Sequence, residues 1–199
     1  DFHQIVADMA NIPRKQAKTI NLGLSYGMGK EKLIKELGLD DTEAENLFQR
    51  YHAKVPFIRA LQDQCARVAM DRGYIKTFAG RHCRFNLWED RYKRTMPLPF
   101  EEAKERYGDT LKRSYTYKAL NRLIQGSAAD MTKLAMLGLW EEGIVPHLQV
   151  HDEVDISIEN TLQGKRIVEI MENCVKLTVP LLVDMEVGPS WGEIKEIKK

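Results

Sequence analysis

The chain has 199 residues, 43% hydrophobic and 30% charged, with a formal net charge of +1. Such a composition excludes a disordered polymer, and no apolar run approaches membrane-span length. Near-zero net charge leaves a polyanionic partner open, because the charge is unevenly spread: from Lys76 to Arg122 there are twelve Lys and Arg against six Asp and Glu, a local excess of +6.

In chain order, Pro13 to about Ser25 is predicted helical, with Pro13 suited to a first turn. Lys30 to Leu37 is a short amphipathic helix stopped by Gly38. Asp41 or Thr42 is expected to cap a helix running to about Lys54, and Pro56 opens another to about Asp71. Gly73–Thr77 and Arg81–Asn86 are predicted as two short strands around Ala79-Gly80. Residues 87–107, charged and interrupted by Pro97 and Pro99, are expected to form a mostly exposed insertion. Leu111–Ile124 is predicted helical, and Ser127 is expected to cap a further helix to about Glu142. Leu148–Val150 and Val154–Ile158 form strands around a tight turn at His151-Asp152-Glu153. A helix from Leu162 to about Leu177 and a strand from Leu181 to Glu186 complete an α-rich α+β chain with a small antiparallel sheet. Cys65, Cys83 and Cys174 are isolated, which fits a reducing compartment such as the cytoplasm.

Three clusters carry candidate chemistry. Arg14, Lys18, Leu22 and Tyr26 recur every fourth residue, a drift of only about 40° per step on a helix, so they share one face. Two cations followed by an apolar residue and an aromatic ring suit a nucleoside triphosphate. The neighbouring Gly23–Lys30 stretch looks like a phosphate-binding Walker loop. It fails the pattern: Leu24 sits where the first Gly is needed, and Glu31 follows the Lys in place of Ser or Thr.

Asp152 and Glu153, adjacent carboxylates flanked by apolar residues, resist joint ionisation unless a cation neutralises them, and hard oxygen donors suit Mg²⁺. His147 and His151 also admit a zinc site if the strand runs uninterrupted. Asn121 and Gln125, four apart, present two amides that can read minor-groove acceptors without choosing a sequence. Gly80-Arg81 offers a close approach to a nucleic-acid backbone. Each cluster alone also has an everyday reading: a solvated basic helix, a polar β-turn, a helix end with a Ser cap.

Together and in this order the motifs resemble the family A DNA polymerases, the class of bacterial DNA polymerase I and several phage replicative enzymes. Arg14-x₃-Lys18-x₂-Asn21-Leu22-Gly23-x₂-Tyr26-Gly27 is similar to the family's fingers helix, and Val150-His151-Asp152-Glu153 to its palm motif C. Gln125–Asp130, Thr77–Arg81, Gly188-Pro189-Ser190-Trp191 and Asp1-Phe2-His3 also fit, so the resemblance spans nearly the whole chain.

The resemblance implies fingers over 1–75 and the C-terminal palm over 76–199, with a charged insertion around 87–110. It implies that His3, Arg14, Lys18, Leu22 and Tyr26 bind the incoming dNTP. Arg81, Asn121, Gln125 and His151 would meet primer–template DNA. Asp152 and Glu153 would bind catalytic Mg²⁺ in a two-metal site completed by an Asp that is not in these 199 residues. Lys18 would also act in catalysis on the leaving pyrophosphate. The resemblance departs at Leu22, where the family usually has Phe or Tyr, and at Tyr117, where many members have Arg. The short span from His3 to Arg14 is phage-like, which implies the cytoplasm of a host cell. Because the chain starts after the family's motif A, it is expected to be inactive alone. It is expected to be the C-terminal piece of a split, intein-parted or excised polymerase that needs a complementary N-terminal fragment. The alternative is a non-catalytic primer–template-binding module.

Overall fold

The computed structural model describes residues 2–196, and Asp1 of the Asp1-Phe2-His3 motif lies outside them. The chain separates into two compact units, 1–124 and 125–199.

The first unit begins with α1 (Phe2–Ala10) and α2 (Arg14–Ser25), followed by α3 (Lys30–Leu37), α4 (Asp41–Lys54) and α5 (Pro56–Arg72). Four of these match the helical spacing of the sequence. The helix α1 was not expected, although Ile5, Val6 and Met9 recur at helical spacing. Gly38 ends α3 in the left-handed region, at φ 66°. The cap of α4 is Asp40, not Asp41 or Thr42. Its side chain accepts from the Glu43 N–H at 2.8 Å, and Glu43 reaches back to the Asp40 N–H at 3.1 Å, a reciprocal box. The first core gathers Val6, Ile20, Leu24, Leu33, Leu47 and Tyr51, all buried.

The strands β1 (Tyr74–Lys76) and β2 (His82–Arg84) pair antiparallel, as expected. The charged segment after them is mostly exposed, as expected, but regularly folded. It folds as β3 (Leu87–Asp90), β4 (Leu98–Pro99), α6 (Phe100–Tyr107) and β5 (Leu111–Arg113), a β4–β3–β5 sheet with one helix. Leu98 and Ala103 are buried there, and Trp88 packs edge-on against Phe100. Arg113 ties this module to its surroundings. It donates to Met70 O (3.1 Å) and Phe85 O (3.0 Å), and its guanidinium lies 4.4 Å from the Trp88 ring. A Cβ on Gly73, whose φ is 76°, would stand 2.7 Å from that guanidinium.

The predicted helix over 111–124 is therefore corrected: 111–113 is strand, Thr116–Lys118 is one 3₁₀ turn, and α7 (Ala119–Glu141) starts later. Ser127 lies inside α7 and caps nothing. With no Pro from 119 to 141, one 23-residue helix runs through Gly126-Ser127.

In the second unit, β6 (Leu148–Val150) and β7 (Glu153–Asp155) make the expected hairpin, and α8 (Thr161–Glu172) is capped by Asn160, which accepts from Gln163 N–H at 3.0 Å. Helix α8 stops at Glu172, short of Leu177. The predicted strand 181–186 is not formed; Glu186–Val187 (β8) pairs instead with Lys195–Glu196 (β9). Gly138 lets α7 and α8 approach closely, since a Cβ there would stand 3.0 Å from Ile170 Cγ2.

Candidate functional site

Helix α2 presents its candidate residues on the face the core leaves open. Ala17, Ile20, Asn21 and Leu24 are buried, whereas Arg14, Lys18 and Leu22 are exposed and Tyr26 is half-buried. The cations sit at the N-terminal end, where the helix dipole is positive, and the first turn holds no acidic residue. This arrangement is mildly unfavourable in the bare helix, and a multiply charged anion relieves it. At the other end, Gln62 Nε2 donates to Leu24 O and Ser25 O, both at 3.0 Å, bracing the C-terminal turn of α2 beside Tyr26.

His3 of α1 is tied to the same helix from behind. Asn21 Nδ2 donates to His3 Nδ1 at 2.8 Å, the Tyr51 hydroxyl donates to Asn21 Oδ1 at 2.9 Å, and Ser25 Oγ lies 2.9 Å from the Tyr51 hydroxyl. With Nδ1 accepting, the neutral imidazole carries its proton on Nε2. Asn21 is 3% exposed and Tyr51 fully buried, and burial pushes the Tyr51 phenol pKa up. Neither Asn21's orienting role nor Tyr51 was anticipated, because the partners lie 18 and 30 residues apart in sequence.

The Walker-like stretch makes no phosphate loop. Lys30 starts α3 and pairs with Asp41 (3.3 Å) and Glu45 (3.4 Å), which raise its pKa, Asp41 most. Arg81 follows Gly80 (φ 90°) in the β1–β2 turn. Its N–H donates to Thr77 Oγ1 at 3.0 Å while its side chain is exposed. On α7, Asn121 is half-buried and Gln125 exposed one turn later, so the two amides share a helix face.

In the second unit the acidic residues lie at the β6–β7 connection. Val150 pairs with Glu153, leaving His151 and Asp152 as a two-residue turn, with His151 at φ 56°. Gln149 Nε2 donates to His151 O and braces the turn. Asp152 and Glu153 are both exposed, and Trp191 Nε1 donates to Glu153 Oε1 at 3.4 Å. Both line one cleft of about 920 Å³, together with Asp155, Met171, Met185 and Trp191. Asp155, which the sequence did not single out, lies on the same strand face as Glu153. Its Oδ2 is buried without a hydrogen-bond partner.

The carboxylates of Asp152 and Glu153 fit Mg²⁺ in donor type, open toward solvent as a substrate-sharing site requires. Among the described residues no group of three or more His, Cys, Asp or Glu comes together to hold a metal. The zinc alternative is corrected on this point. His147 Nε2 lies 3.0 Å from Ser157 Oγ, and His151 sits in the turn rather than in a continuous strand. No helix among the described residues is long and apolar enough to cross a membrane.

The profile of DNA polymerase family A matches residues 2–193. A DNA-directed DNA polymerase of Pseudomonas phage M6 is 36% identical over 226 residues, covering 96% of this chain and 31% of its own length. The thermostable DNA polymerase I of Thermus filiformis is 36% identical over 190 residues, covering 92% of this chain and 21% of its own. Among solved structures, the POL domain of Pol1 from M. smegmatis, in complex with DNA primer-template and dNTP, superposes with a TM-score of 0.68 at 27% identity. That match covers 91% of this chain and 32% of the other. The chain thus spans about a third or less of the length of these relatives.

Proposed function

Because the chain belongs to DNA polymerase family A, we propose that it is the fingers (1–75) and C-terminal palm (76–199) of a DNA-templated DNA polymerase. In this reading the primer 3′-hydroxyl attacks the α-phosphate of a dNTP and pyrophosphate leaves. The observation that carries the reading is the outward face of α2, two exposed cations at a helix N-terminus with no acidic residue in its first turn.

Arg14 and Lys18 hold the triphosphate and bear the charge that builds on the leaving pyrophosphate. His3 adds a phosphate contact through Nε2–H, which the bond from Asn21 leaves as the ring's donor. Leu22 and Tyr26 pack against sugar and base. Leu22 does this without ring stacking, so discrimination against chain-terminating nucleotides differs from members that carry an aromatic there. Gln125, Asn121, His151 and Arg81 meet the primer–template.

Asp152 and Glu153 hold Mg²⁺, which when bound supplies charge neutralisation at the reacting phosphate. In this reading a two-metal site needs a further carboxylate from polypeptide outside the 199 residues, and the chain is inactive without it. Its partners are then primer–template DNA, dNTP and that complementary segment.

The test is Mg²⁺-dependent primer extension by the full-length enzyme. Lys18→Ala should lower kcat/KM for dNTP by about 10- to 100-fold, the loss of a charge-assisted contact, with primer–template affinity little changed. Asp152→Ala should abolish extension. Unchanged dNTP kinetics in Lys18→Ala would remove the triphosphate assignment. DNA binding without extension in any reconstitution would favour a non-catalytic module.

A further inference from the structure

The β4–β3–β5 module carries a loop, residues 91–96, that the nucleotidyl-transfer reading does not use. Its backbone is anchored at four points, the N–H groups of Arg91, Tyr92 and Lys93 and the carbonyl of Met96. One oxygen of the Asp90 carboxylate accepts from the N–H groups of Tyr92 (2.7 Å) and Lys93 (2.8 Å), while the other accepts from the Thr110 hydroxyl (3.2 Å). Thr95 Oγ1 accepts from Asp90 N–H (3.0 Å), Arg91 N–H donates to Thr110 O (2.8 Å), and the Tyr107 hydroxyl donates to Met96 O (2.9 Å). The backbone bonds hold the Asp90 carboxyl below its usual range, and the residue is buried.

Ordering a six-residue loop is entropically costly, and here the anchors fix the main chain and Thr95 while the cationic and aromatic side chains stay exposed. Arg91, Lys93 and Arg94 are exposed and form no ion pair among the described residues. Tyr92 is 78% and Met96 62% exposed. The two acids that lead into the loop are otherwise engaged: Asp90 with backbone N–H groups, and Glu89 with Lys112 at 3.4 Å. The loop is therefore backbone-anchored, and its own charged residues are all cations around an open aromatic ring.

We propose that this tip is a contact site for an unpaired polynucleotide strand, with the three cations on successive phosphates and the Tyr92 ring under a base. Charge complementarity selects a polyanion, and the ring selects among polyanions. A duplex offers phosphates but keeps its base faces stacked inside, whereas an unpaired strand offers both. The site stands whether or not α2 binds dNTP, so the two readings fail separately.

The test is fluorescence anisotropy with the full chain, a labelled single-stranded oligothymidylate and a blunt duplex of equal length. Tyr92→Ala should weaken single-strand binding about tenfold, Tyr92→Phe should restore it, and duplex affinity should stay within about twofold. The combined Arg91→Ala, Lys93→Ala and Arg94→Ala variant should reduce the salt slope of single-strand binding by about two. These side chains are exposed, so far-UV spectra should be unchanged. Equal single-strand affinity in Tyr92→Ala, an equal loss for strand and duplex, or an unchanged slope in the triple variant would each overturn the proposal.

Discussion

Asn21 shows how one buried amide serves two purposes. Both ends of its side chain are used: the carbonyl oxygen by Tyr51 and the amide N–H by His3. Removing the Tyr51 hydroxyl would leave a carbonyl without its donor at a residue only 3% exposed. Tyr51→Phe should therefore destabilise the protein by about 1–3 kcal/mol, the cost of a buried acceptor left unsatisfied, as measured by urea unfolding. Tyr51→Phe with unaltered stability would show that water replaces the hydroxyl. This chain of bonds has no local signature in the sequence, since hydrogen bonding between helices depends on how they pack. The cationic stripe of α2 was readable, because helical periodicity is a local property.

At the scale of elements, the caps matter more than the periodic interiors. Asp40 and Glu43 satisfy donors at the start of α4 that would otherwise face solvent alone. Asp40→Ala should cost about 1 kcal/mol in urea unfolding, while Asp41→Ala, outside the box, should cost less. Which of three neighbouring residues caps the helix was not decidable from sequence, since Asp40, Asp41 and Thr42 are all competent. Helices α2 to α5 and both hairpins were legible from spacing, Pro56, Gly38 and Gly80. The 87–113 segment was not. Its strands are only two to four residues long, too short for alternation to register, and its order comes from Arg113 reaching distant backbone and from Asp90 joining its own loop to the Thr110 hydroxyl. Strand β8 was missed for the same reason. The Asp152-Glu153 turn was legible, whereas Asp155, one strand step beyond, became notable only through its buried oxygen.

For the whole molecule, burial sets the pH window. Burial lowers the His52 pKa, with Arg59 adding to the shift. The unfolded chain then binds more protons at low pH, so stability should fall as pH drops below about 6.5. A second acid loss should follow below about pH 4, where Asp90 and Glu45, whose pKa values are lowered by backbone bonds and by Gln49 and Lys30 respectively, become protonated. On the alkaline side, burial raises Cys65, Cys174 and Tyr51, so the unfolded chain releases protons first and stability should decline above about pH 9. Melting temperatures from pH 3 to 10.5 should therefore trace a plateau between about 6.5 and 9. His52→Phe should extend that plateau downward; an unaltered acid limb in that variant would exclude His52 as its cause.

The hairpin at the acidic turn allows exchange of chemistry but not of length. With Val150 opposite Glu153, only two residues make the reversal. Adding or deleting one would swing every later side chain of that strand to the opposite face and carry Glu153 and Asp155 away together. Natural variation and engineering at this tip should therefore proceed by substitution, with insertions and deletions eliminated.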